Sequence, residues 1–203
     1  MSGALTKRNH CFIIKLAQTN HKATVHVCTC CEEGIKMIKK FVIEIGILWV
    51  WFLVYMVIVT IRKGPVSALY FYPKEVGEKA ISLGLTTRKE MKSRKLFALI
   101  LLILGDFFIP YIMITKVNGA NTFTQCFIQY AILFYGMEFF DWFFVDTLWV
   151  AKTNWWIISG LEDLNHLWHD PGIKKYKMLT MIPVSLIFAL IFALLCMGLV
   201  RIW

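Results

Sequence analysis

Glu138, Asp141 and Asp146 fall within residues 136–146, in a stretch that is otherwise apolar and aromatic and contains no basic residue. A carboxylate at membrane depth is costly, so such residues usually face a bundle interior or a wet cavity and mark a functional site. Taking Glu138 as the origin of a helical wheel, Asp141 lies at about −60° and Asp146 at about +80°. Phe139, Phe140, Phe143 and Phe144 occupy the opposite side, which predicts an acidic face turned inward and a phenylalanine face turned to lipid.

Asp106 stands near the midpoint of a second apolar stretch, at a depth expected to match that of Glu138. Pro110 follows four residues later, and a proline within a helix has no N–H for the carbonyl of residue i−4, here Asp106. Carboxylate and backbone oxygens together suit hard cations. The apolar interiors of these stretches hold no Lys, Arg or His to neutralise Asp106, Glu138 and Asp141. Three chemistries follow. The acids are protonated, they exchange a proton or metal ion, or they hold an organic cation against the aromatic faces of Trp142 and Tyr135. Asp146 and Glu44 are accessory candidates. Glu44, near one end of its stretch, is expected to snorkel to the interface.

The elements that must position these groups are membrane helices. Hydrophobic residues make up 58% of the 203, aromatic residues 15%, and the mean hydropathy is +0.62, values that exclude an ordinary soluble domain. Four runs approach the roughly 20 residues needed to cross a bilayer, at about 41–61, 96–115, 123–150 and 179–200. The expected fold is an all-α membrane protein, a bundle of four transmembrane helices with short amphipathic helices in two cytoplasmic loops.

A net charge of +9 would suggest nucleic acid in a soluble protein. Here the basic residues flank the spans, where topology and lipid headgroups account for them, and no nucleic-acid partner is expected. The segment 62–95 carries nine Lys and Arg and the segment 151–178 four. Both are therefore predicted to be cytoplasmic, with the amino terminus outside.

That orientation conflicts with residues 1–36, because the seven basic residues up to Lys40 would have to be exported. Glu32-Glu33-Gly34 can be encoded by codons resembling a bacterial ribosome-binding sequence upstream of Met37. Residues 1–36 are accordingly expected to be a disordered or mis-assigned leader, with the membrane domain at 37–203, in a bacterial cytoplasmic membrane. The leader holds Cys11, Cys28, Cys30 and Cys31 with His10, His21 and His26, at spacings that match no zinc finger.

Within 62–95, Pro73 predicts a short helix from Lys74 to about Leu83, and Thr87-Arg-Lys-Glu90 reads as a capping box opening the second span. Both helices carry basic residues expected to anchor at lipid headgroups. In the other loop, Ser159-Gly-Leu-Glu162 reads as a second capping box and Pro171-Gly172 as a stop, giving an interfacial helix over about 160–170. Leu161, Leu164, Leu167 and Trp168 would line one side, with Glu162, His166 and His169 on the other as candidate divalent-metal ligands. Trp149, Trp155 and Trp156 read as interfacial belt residues.

Three functions are compatible with these residues. The first is a proton- or cation-coupled transporter using Asp106, Glu138 and Asp141 in the lipid bilayer, with homodimerisation to enclose a path. The second is a metal-dependent interfacial lipid-modifying enzyme built on Glu162, His166 and His169. The third is a non-catalytic scaffold whose acids join helices. No Ser/His or Cys/His arrangement indicates an enzyme, and no cofactor is indicated.

Overall fold

Apolar runs produce three helices long and apolar enough to cross a membrane, Gly34–Thr60, Arg88–Val117 and Leu179–Val200, and two of them continue through an internal proline, Pro110 and Pro183. They are consistent with an integral membrane protein. The computed structural model describes residues 29–169 and 171–202, and among these every regular element is helical. Helices α1 (Thr29–Thr60), α2 (Lys74–Ser82), α3 (Arg88–Ile112), α4 (Phe123–Phe140), α5 (His166–His169) and α6 (Pro171–Ile202) follow in order. Two compact units divide the chain, Met1–Val42 and Ile43–Trp203. In the first, the described residues form the start of α1, which runs unbroken through Met37. The expected leader otherwise lies outside the described residues. All further description concerns the second unit.

The expected fourth span, 123–150, differs from the other three. Gln125, Gln129, Tyr130, Tyr135 and Glu138 reduce its apolar character, and it is not among the three helices just named. It is also not one regular helix. At Asp141 the winding loosens into a π-helix, Asp141–Val150, in which hydrogen bonds run between residues five apart. Thr147 supports this turn by donating its hydroxyl to the Trp142 carbonyl, five residues back, at 2.8 Å.

Association of helices in lipid depends on close packing more than on apolar burial. Gly105 of α3 lies flat against the Trp51 indole of α1, with no room for a Cβ. Gly136 of α4 meets Ile45, and its carbonyl accepts the Trp49 indole N–H at 3.0 Å. Trp49 also stacks on Phe140 at 4.8 Å. Phe140 is therefore buried, which corrects its assignment to the lipid face, while Phe139, Phe143 and Phe144 are exposed as expected.

The two long connecting segments pack on each other. The turn Gly64–Phe71 and helix α2 bring Leu69, Val76 and Ala80 against Ile158, Leu161 and Trp168. Tyr72 meets Trp168 edge-on at 4.8 Å and donates its hydroxyl to the Trp156 carbonyl at 2.8 Å. Lys79 pairs with Asp163 at 2.6 Å. Leu161, Leu164, Leu167 and Trp168, the apolar side of the expected interfacial helix, pack in this contact.

Helix α2 begins at Lys74 as expected, and Thr87 caps α3 by accepting the Glu90 N–H at 3.1 Å. The Glu90 side chain does not complete the reciprocal half of a capping box. It accepts from Lys63 at 3.1 Å, Arg94 at 2.6 Å and Thr86 at 3.2 Å. The helix expected over 160–170 is replaced by a 3-10 turn, Glu162–Leu164, and the single turn α5. Gly160 adopts a left-handed φ of +85°, and Glu162 folds back to accept its N–H at 2.9 and 3.0 Å. Pro171, expected as a stop, opens α6, where its missing N–H costs nothing.

Candidate functional site

A cavity of about 670 Å³ lies between α1, α3, α4, the π-helix and α6, and four of the predicted carboxylates line it: Asp106, Glu138, Asp141 and Asp146. The rest of its wall is mainly apolar. Phe134, Phe188 and Phe192 stand at one end, and Phe71, Tyr72, Trp156 and Trp168 at the end formed by the long connecting segments. Among the described lining residues there is no Lys, Arg or His.

At α-helical winding Asp141 and Asp146 would stand about 140° apart, on the two flanks of the acidic face. The wider π-helical turn narrows that angle, and both acids line the cavity with Glu138.

Asp106 projects from α3 beside the Gly105–Trp51 contact, where its buried carboxyl faces the buried Trp51 indole nitrogen. Pro110, within α3, offers no N–H to the Asp106 carbonyl. The neighbouring Phe107 carbonyl accepts from the Tyr130 hydroxyl at 3.3 Å. Glu138 accepts from the Ser185 hydroxyl of α6 at 3.3 Å.

A second cavity of about 200 Å³ lies against the same acidic wall and brings Tyr135 and Trp142 to Glu138, Asp141 and Asp146. Tyr135 donates its hydroxyl to the Ile182 carbonyl at 3.5 Å. The aromatic residues predicted to flank the acids thus adjoin them through this smaller space.

Glu44 does not snorkel. It is 4% exposed, both carboxyl oxygens are buried without a hydrogen-bond partner, and it lines neither cavity. Trp155 is exposed as an interfacial residue would be, but Trp156 is 2% exposed and forms part of the cavity wall. This corrects its reading as a belt tryptophan.

Two of the three metal ligands considered for the connecting segment have hydrogen-bond partners. Glu162 holds the Gly160 N–H, and His166 Nδ1 lies 2.9 Å from the Asp163 carbonyl. The side chain of His169 lies outside the described residues. Among the described residues no three His, Cys, Asp or Glu side chains converge closely enough to share one metal ion. The cavity acids are spread along a wall rather than gathered at a point.

Two contributors were not anticipated from sequence. Ser185 is a hydroxyl within the apolar run of α6, a signal available beforehand. Trp51 is one of several aromatic residues in α1, and nothing in its sequence context distinguished it. No protein-family model, no curated protein and no solved structure matches this chain.

Proposed function

We propose that residues 37–203 form a four-helix membrane bundle, with 123–150 as the fourth crossing, that carries a lipophilic organic cation in exchange for protons. The observation that supports this reading is the single cavity lined by carboxylates from α3, α4 and the π-helix. Its volume, about 670 Å³, falls in the range of small-molecule sites and far exceeds a bare ion. Phenylalanine and tryptophan faces supply cation–π attraction, and the acids supply charge that is weakly screened at this depth.

In this reading Asp106, Glu138 and Asp141 exchange protons for the cation, and Asp146 lies towards the end formed by the long connecting segments. The basic residues of 62–95 support a cytoplasmic position for that end. A homodimer remains part of the proposal, because four helices leave little room for a private path.

Ethidium is a suitable probe, being an aromatic cation that fits the cavity. Full-length protein in proteoliposomes is expected to take up ethidium when protons are drawn in the opposite direction. D106N and E138Q are expected to abolish that uptake while preserving the helical circular dichroism. Uptake no faster than in protein-free vesicles, across ethidium and other organic cations, overturns the transport reading.

A further inference from the structure

One turn beyond the aromatic end of the cavity, α4 and α6 meet through sulfur. Cys126 and Cys196 are both fully buried, as free thiols, and their Sγ atoms are 3.6 Å apart. The thioether of Met197, next to Cys196, lies 4.0 Å from Cys126 Sγ. These residues take no part in the cavity wall.

Three sulfur atoms at such separations have the form of a ligand set. For a metal–sulfur bond of about 2.3 Å, the corners of a trigonal site are about 4.0 Å apart. Of the two separations involving Cys126, the 4.0 Å to the Met197 sulfur matches that spacing and the 3.6 Å to Cys196 has to open by only a few tenths of an ångström. Thiolate and thioether donors select Cu(I) among the common biological metals. Zinc ordinarily requires four nitrogen, oxygen or thiolate ligands, more than this pocket offers. Both thiols lose their protons to solvent as Cu(I) binds, because thiolate rather than thiol is the metal ligand, and the thioether sulfur completes the three-sulfur shell without adding charge. Met197 donates a lone pair and the ion remains Cu(I), so no oxidant or reductant is required.

We propose that Cys126, Cys196 and Met197 form a buried site for Cu(I) that joins α4 to α6. The site is independent of the acid-lined cavity, and its failure would leave the cation-exchange reading unaffected.

The test uses full-length protein carrying C11S, C28S, C30S and C31S, purified anaerobically, so that Cys126 and Cys196 are the only cysteines. Titration with Cu(I) against a chromophoric Cu(I) chelator is expected to show about one ion retained per chain, with X-ray absorption reporting a sulfur-only shell. C126S and C196S are expected to lose that equivalent. M197L keeps both thiols and an apolar side chain of similar volume, so it carries the test if either serine variant misfolds. It is expected to weaken retention by at least about tenfold. No retained Cu(I) in the reduced protein, a shell containing oxygen or nitrogen, or undiminished affinity in M197L each overturns the three-sulfur site.

Discussion

Replacing Gly105 with alanine tests the packing that holds Asp106 in place. The new Cβ would fall on the Trp51 indole, with Cε2, Cζ2 and Nε1 all inside van der Waals contact. A fused ring cannot yield at one end, so Trp51 or the α1–α3 separation must shift. Overpacking of this kind costs about 1–3 kcal/mol, and three simultaneous contacts place it at the upper end. Alanine recovers about 1 kcal/mol of helix propensity. The expected net loss is about 2 kcal/mol, roughly a 30-fold change in the unfolding equilibrium. Gly46→Ala is the matched control, since nothing lies within 4 Å of its Cβ position, and it is expected to stabilise by about 0.5–1 kcal/mol. Gly136→Ala meets the flexible Ile45 side chain at 2.9 Å and should fall between the two. Reversible unfolding in mixed micelles, followed by tryptophan fluorescence, ranks the three variants. A G105A protein as stable as G46A would refute the close approach of α1 and α3.

The connection between the two long segments gives further expectations. The Asp163 carboxyl is held below its usual range, chiefly by its hydrogen bond from Lys79. A lowered acid contributes stability above its unfolded value, about 3.9, and loses it as pH falls through the folded value. The difference in stability between wild type and D163N should therefore be small at pH 7, begin to fall as pH drops to about 4, vanish only below the folded value, and shrink with added salt. Burial pushes the Tyr72 phenol up, so its donation to the Trp156 carbonyl persists across the neutral range. Tyr72→Phe should cost about 1 kcal/mol, measured by thermal unfolding, and should alter the fluorescence of Trp156 at the cavity end.

Much of the helix order follows from apolar runs and capping residues. Thr87, Pro73 and the lengths of the α1, α3 and α6 runs were sufficient to locate those elements. The winding of 141–150 was not legible, because a wheel assumes one constant turn and no residue there is a breaker. The acids could be proposed individually from their improbable setting. The wheel puts the three acids of 138–146 on one face, whereas their meeting with Asp106 of α3 on one wall is a tertiary fact. The pattern Leu161, Leu164, Leu167 and Trp168 correctly marked an apolar side. Its partner was α2 and the Gly64–Phe71 turn rather than lipid, a choice that amphipathicity alone does not encode.

In the proposed transport cycle the carboxylates along the cavity exchange protons for an organic cation. Ethidium binding to full-length protein in detergent, followed by fluorescence polarisation across pH, tests it most directly. Protons compete with the cation, so affinity should rise with pH and the dependence should disappear in the D106N/E138Q double variant. Affinity that is independent of pH, or unchanged in that variant, would contradict the account.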